Sequence, residues 1–225
     1  MGAKQQRRWS VKAIIFDLDN TLFDHTGCAV AGLRSWVAGL GIVPTDELIA
    51  EWFVIEEDQF NRFLAGELTH QGQRRGRLRA FLPVLGLPVP ASEAELDEVF
   101  TGYLTQYTNN WIAYPDARPA LEVARGNGWR IGVLTNGSTR QQNAKLQKIG
   151  LADLIDVVCT SESLGFSKPD PRAYHRVCEA LGVEPSDALM IGDNLELDVV
   201  AARAAGLTAL HLDRPAGMSL LDLLR

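Results

Sequence analysis

The sequence predicts an α/β protein: a doubly wound core with a parallel sheet, interrupted by an inserted α-helical cap. Three observations predict it. In the second half of the chain, short apolar runs rich in β-branched residues alternate with helical segments, the pattern of a parallel sheet covered by helices on both faces. One such run stands alone near the N-terminus. Between it and the later series lies a long stretch of helical periodicity with no strand of its own, which reads as an insertion. The chain of 225 residues is long enough for this arrangement, and its 46% apolar and 22% charged residues are those of an ordinary soluble globular protein.

The first strand is read in VKAIIF, an apolar run that stops abruptly at DLDNTLFD, as a strand buried on both faces does. From Asp24 to about Trp111 the pattern is helical. Val30, Leu33, Val37 and Leu40 mark one face of a first helix. Thr45 or Asp46 caps a second, whose apolar stripe is Ile49, Trp52, Phe53, Phe60 and Phe63. A third helix runs through the arginine-rich stretch toward Leu85, weakened by Gly72 and Gly76. Ser92 and Glu95 form a capping-box signature for a fourth, in which Leu96, Val99, Phe100, Tyr103, Leu104 and Tyr107 recur at helical spacing. Beyond Tyr114-Pro115 come the runs WRIGVL, IDVVC, ALMI and LTALHL with helices between. The boundaries that follow are residues 1–21 and 112–225 for the core and 22–111 for the cap.

Composition excludes several roles. A net charge of −6 gives no field that attracts nucleic acid or an anionic membrane. Cys28, Cys159 and Cys178 are odd in number and lack CxxC spacing, which argues against a disulfide framework or structural zinc and for reduced thiols in a cytoplasmic protein. The basic N-terminal MGAKQQRRWS is followed by an apolar run, Ala13 to Phe16, too short for a signal peptide. No stretch approaches the roughly 20 apolar residues of a membrane-spanning helix.

In open α/β sheets the ligand crevice lies beyond the carboxyl ends of the strands. Four polar clusters stand there: Asp17-Leu18-Asp19-Asn20-Thr21, Thr135-Asn136-Gly137, Lys168-Pro169, and Gly192-Asp193-Asn194 with Asp198. They suit phosphoryl transfer through a covalent intermediate, with one carboxylate as nucleophile and another as acid and base. If the chain stays extended past the strand, a spacing of two turns Asp17 and Asp19 toward one pocket. Adding Asp193 sets carboxylates against each other and against a phosphate dianion, a conflict that a hard, oxygen-binding cation such as Mg2+ resolves. Thr135, the backbone amides near Asn136 and Gly137, and Lys168 offer donors and charge for the phosphate oxygens.

These motifs, DLDNTL, LTNG, Lys168-Pro169 and GDNLELD, resemble in order and spacing the four motifs of the haloacid dehalogenase (HAD) superfamily. The helical block resembles the α-helical cap of its subfamily I, and GDNLELDVVAARAAG its closing motif, so the likeness spans nearly the whole chain. It implies a Rossmann-like core. It implies Asp17 as nucleophile and metal ligand, and Asp19 as general acid and base that gives the metal its backbone carbonyl. Thr135 and Lys168 would hold the phosphate, Asp193 would be a further metal ligand, Asn194 its neighbour, and Asp198 the support of Lys168 or of a metal-bound water. The superfamily's dehalogenases lack the second aspartate of the first motif, which is present here as Asp19. The expected enzyme is thus a magnesium-dependent phosphatase acting on a small phosphorylated metabolite, a sugar phosphate or nucleotide, as a monomer or homodimer.

Rival readings are a 2-haloacid dehalogenase, a phosphomutase, a silent binding module and a phosphoacceptor receiver. The receiver is disfavoured because the candidate nucleophile follows the first strand and a large insertion intervenes. An EF-hand fails because Leu22 and Cys28 stand where its Gly and bidentate Glu belong. Arg74, Arg75, Arg77 and Arg79 read as a solvated helix face, His25 as structural or exposed, and Trp36, Trp52 and Trp111 as packing.

Overall fold

The computed structural model describes residues 10–224, so the first nine residues of the basic N-terminal segment lie outside the described part. In chain order the elements are β1 (Ala13–Phe16), α1 (His25–Gly39), α2 (Asp46–Leu64), α3 (His70–Val84), α4 (Glu93–Asn109), α5 (Ala117–Gly126), β2 (Arg130–Thr135) and α6 (Thr139–Lys148). There follow β3 (Val157–Thr160), α7 (Ser161–Leu164), α8 (Pro171–Leu181), β4 (Ala188–Gly192), a π-helical turn over Leu195–Val200 and β5 (Thr208–His211). The chain divides into two compact units. One joins the described residues up to His25 with those from Trp111 onward; the other spans Thr26–Asn110.

In the first unit the five strands form one parallel sheet in the order β3-β2-β1-β4-β5, with helices in the connections. Ala13, Ile14, Ile15 and Phe16 are fully buried, as a central strand requires, and each isoleucine contributes about 1.5–3 kcal/mol through its burial. β1 and β3 each begin two residues inside the apolar runs read for them. Pairing of β1 begins at Ala13, because the Lys12 amide bonds to the Asp187 carbonyl instead. Pairing of β3 begins at Val157, because the side chain of Asp156 accepts from the Ile131 amide and ends the ladder there. Register fixes the working edge: Phe16 pairs with Val133 on one side and Ile191 on the other, so β1, β2 and β4 end together. The strand order reverses direction at β1, and the crevice of such a sheet lies at that switch.

The second unit is helical. Thr45 caps α2, Thr69 caps α3, and the Ser92–Glu95 capping box closes α4. α1 buries Cys28, Ala29, Gly32, Leu33, Trp36 and Val37; Val30 is only half-buried, and Leu40 lies past the helix end and is exposed. A Cβ at Gly32 would stand 2.6 Å from the Tyr107 Cα, so α1 and α4 approach backbone to backbone there. In α2 the buried line is Ile49, Trp52, Ile55 and Gln59, and the expected Phe53, Phe60 and Phe63 are half-buried on its flanks. The arginine stretch is helical despite its glycines, since Gly76 leaves room that the Gln59 amide fills. Trp52 packs at 5.0 Å from Phe81 and 4.7 Å from Tyr103, ring centre to ring centre. Among the described residues no helix is long and apolar enough to cross a membrane.

Candidate active site

Asp17 continues the ladder of β1 by one residue, its amide bonding to the Ile191 carbonyl at 2.9 Å, and this carries its side chain to the working edge. The chain then turns sharply. The Leu18 carbonyl accepts from the amides of Thr21, Leu22 and Phe23, Leu18 itself is fully buried, and Asn20 takes the left-handed conformation at φ 60°, which asparagine tolerates better than most residues. Thr21, buried at the far side of the turn, accepts the Asp193 amide on its hydroxyl at 3.2 Å. Arg214 grips the same turn through the Asn20 and Thr21 carbonyls, lies 3.6 Å from the Tyr114 ring centre, and pairs with Asp116.

Lys168 follows α7 and precedes a cis bond to Pro169. Asn136, just beyond β2, holds its backbone from both sides: the Asn136 amide donates to the Lys168 carbonyl and its oxygen accepts from the Lys168 amide, each at 2.8 Å. The ammonium stands 2.7 Å from Asp17 Oδ1 and 2.6 Å from Asp198 Oδ1. Asp198 comes from the π-helical turn, where its other oxygen accepts from the Asn194 amide and Asn194 caps Leu197. A Cβ at position 192 would collide with the Asp198 carboxylate, so glycine is required there. His211, at the end of β5, meets the Asp193 carbonyl at 2.8 Å.

Oxygens of Asp17, Asp193 and Asp198 all lie within 4.8 Å of one another, a set able to hold a cation. Their crowding appears in their acidities. Burial, aided by Asp198 and Asp193, pushes Asp17 well above the usual carboxylate range against the pull of Lys168. Burial and the nearby Asp198 raise Asp193 to about 6. Burial alone would discharge Lys168, yet Asp17 and Asp198 outweigh it and keep the ammonium charged. A divalent cation would reverse the two carboxyl shifts by favouring the ionised forms.

Asp19 does not join this carboxylate cluster, against the expectation from its spacing of two. The turn at Leu18 ends the extended run, and Asp19 is drawn instead to α6, where Lys145 Nζ lies 2.5 Å from Oδ1 and Gln142 Nε2 lies 3.0 Å from Oδ2. Gln142 also donates to Thr135 Oγ1 at 2.6 Å, linking the ends of β1 and β2. Burial would raise the Asp19 pKa, but Lys145, His25 and Gln142 outweigh it and lower it to about 2. Of the other expected residues, Thr135 is buried at the end of β2, Asn136 braces Lys168 and Asn194 braces the π-helical turn. Gly137 lies close under Gln142, where a Cβ would come within 2.7 Å of Nε2.

Gln142, Lys145, His211 and Arg214 were not singled out from sequence. One signal was available. In α6, residues 142, 145 and 146 share a face that continues to Ile149 just past the helix end, and Leu146 and Ile149 mark it as the inward one, so a glutamine and a lysine there are buried polar groups.

The arginine run belongs to the other unit and is matched within it. Arg75 chelates Asp97 and also meets Glu93, Arg79 lies 3.9 Å from Glu93, Arg77 pairs with Glu56, and Arg74 lies 5.5 Å from the Phe100 ring centre.

Residues 11–206 match the model of a protein family described as haloacid dehalogenase-like hydrolase. The chain is 36% identical over 219 residues to phosphatase MT3486 of Mycobacterium tuberculosis, covering 91% of this chain and 88% of that one. It is 32% identical over 204 residues to the ribulose-1,5-bisphosphate 5-phosphatase of Halopiger xanaduensis, covering 89% and 84%. Among solved structures, the HAD-hydrolase YfnB of Bacillus subtilis bound to magnesium superimposes with a TM-score of 0.76 at 23% identity, over 90% of this chain and 89% of YfnB.

Proposed function

Because the chain belongs to the haloacid dehalogenase-like hydrolase family and is a phosphoric monoester hydrolase, we propose that it hydrolyses small sugar phosphates or nucleotides with magnesium, using Asp17 as covalent nucleophile. The observation that carries this reading is Asp17 itself, a buried carboxylate at the end of the central strand, 2.7 Å from Lys168 and within a cation's reach of Asp193. The sugar-phosphate class is supported by the Halopiger relative and the metal by the magnesium in YfnB.

Two half-reactions follow. In the first, an Asp17 oxygen forms a bond to phosphorus in line with the leaving oxygen, the bond from phosphorus to that oxygen breaks, and Asp19 gives the oxygen its proton. In the second, water attacks the same phosphorus, Asp19 takes its proton, and phosphate departs from a regenerated Asp17. Asp19, as acid, must be protonated first; the incoming phosphate favours this by adding negative charge beside it. Lys168, oriented by Asp198, and Thr135 hold the transferring oxygens. Asp17, Asp193 and the Asp19 carbonyl would hold magnesium, whose charge would offset the repulsion between carboxylates and phosphate. We assign the chemistry to the α/β unit and the choice of substrate to the helical unit.

The test is phosphate release from p-nitrophenyl phosphate and a panel of sugar phosphates and nucleoside monophosphates, with magnesium or with EDTA. Release that needs magnesium and disappears in Asp17→Asn is expected. Halide release from a 2-haloacid that EDTA leaves unchanged would replace this reading with a dehalogenase, and phosphate appearing on a second sugar hydroxyl would replace it with a mutase.

A further inference from the structure

The geometry points to Lys145 as a positioning residue for Asp19, fixing with Gln142 where that carboxylate stands relative to the leaving oxygen. The inference rests on the reading of Asp19 as acid and base. Lys145 is 3% exposed and Gln142 is 2% exposed, and both project from the inward face of α6. A lysine so placed is unfavourable unless its charge is met, and Asp19 Oδ1 meets it at 2.5 Å. The lysine is constrained from a second side by the Phe23 ring, whose centre lies 4.7 Å from Nζ.

Gln142 adds the other half of the device. Its amide reaches Asp19 Oδ2 at 3.0 Å and Thr135 Oγ1 at 2.6 Å, so the carboxylate is held at both oxygens and tied to a residue of the phosphate site. Contacts at both oxygens restrain the side-chain torsions of Asp19. A carboxylate has about four lone-pair sites, so one donor on each oxygen still leaves room for a transferable proton. The cations are also divided. Lys168 serves Asp17 and Lys145 serves Asp19, so two carboxylates two residues apart do not compete for one ammonium.

Removing Lys145 should therefore harm proton delivery more than it harms phosphate binding. The measurement is kcat/KM, which covers steps only as far as departure of the leaving group, for two substrates: glycerol phosphate, whose alkoxide needs a proton, and dinitrophenyl phosphate, whose phenolate does not. Lys145→Met is expected to lower kcat/KM about 100-fold on the first and less than about fivefold on the second, the scale of general acid catalysis. With dinitrophenyl phosphate it should also show a burst of phenolate stoichiometric with enzyme, because the base step is slowed. Lys145→Arg, which keeps the charge, should restore most of the loss.

Asp19→Asn is run beside it. If Asp19→Asn separates the two substrates and a folded Lys145→Met slows both equally, the positioning role is overturned. If Asp19→Asn itself does not separate them, the reading of Asp19 falls and the inference falls with it. Should Lys145→Met not fold, Gln142→Met takes its place with the same two substrates, and an equal loss on both overturns the inference.

Discussion

The two units bury polar groups in opposite ways. In the α/β unit, the deepest charges gather at one edge of the sheet and are held by specific partners: Lys168 between Asp17 and Asp198, Lys145 on Asp19, Arg214 on Asp116. In the helical unit the interior is aromatic, built on Trp36, Trp52, Phe81, Phe100 and Tyr103, and its buried charge is one pair, Arg77 with Glu56, beside which Arg77 Nε and Gln73 Oε1 find no hydrogen-bond partner among the described residues. Buried ion pairs add little net stability over well-packed apolar residues. A cluster of them at the end of a central strand therefore speaks for chemistry, and an isolated pair inside a helical bundle does not.

The largest test of that contrast is Asp17→Asn. Phosphate release should fall more than about 1,000-fold while the melting temperature shifts by only a few degrees, because the change removes a charge that burial disfavours. Retention of a few per cent of the activity would end the covalent mechanism. Lys168→Met should cost both activity and about 3–5 kcal/mol in urea unfolding, since Asp17 and Asp198 are left buried without their cation. An unchanged midpoint would show that the cluster relaxes more easily than its geometry suggests.

Magnesium at about 100 times its dissociation constant should add about 2.7 kcal/mol, read from the rise in Tm. Its effect has a definite sign with pH. Asp193 sits at about 6 in the folded chain against 3.8 for an ordinary aspartate, so between those values the folded chain holds a proton that the unfolded chain has released. Metal-free stability thus falls as pH rises from about 4 to about 6, while binding, which needs the carboxylate, strengthens. The increment from magnesium should be larger at pH 7.5 than at pH 5, and an increment independent of pH would remove Asp193 from the metal site.

In the helical unit, Arg77→Met alone should destabilise by about 3 kcal/mol, whereas Arg77→Met with Glu56→Met should come back to within about 1 kcal/mol of the parent. A stable double variant with lost turnover would break the comparison, for it would place chemistry in the helical unit as well. Smallest of all, Ser92→Ala should cost about 1 kcal/mol through the lost cap of α4, with kcat unchanged.

The candidate site of the α/β unit was legible because it stands at strand ends, where an apolar run stops at a polar cluster. Asp17, Thr135, Lys168 and Asp193 could all be found that way, for each strand is short and each cluster adjoins it or follows soon after. The partners of Asp19 could not. Lys145 and Gln142 lie more than a hundred residues away in a helix whose residues are mostly polar, and nothing local states that its inward face receives a carboxylate. In the helical unit, periodicity located four helices and the buried face of α4, with Leu96, Phe100, Tyr103 and Tyr107, but misplaced the face of α2. The inward line of α2 runs through Gln59 rather than Phe60, because α3 offers Gly76 as a recess for an amide. Each glycine of α3 costs about 1 kcal/mol of helix propensity, a penalty that packing of Leu78, Phe81 and Leu82 overrides.

The grip of Arg214 and His211 on the turn after β1 and on the Asp193 carbonyl bears on how much of the chain is indispensable. Both residues lie beyond position 206, where the family match stops, yet one secures the Asn20–Thr21 carbonyls and the other the backbone of Asp193. A version ended at residue 206 would keep every signature cluster intact and lose the two side chains that anchor them, so completeness of motifs and completeness of the working site are separate properties of this chain.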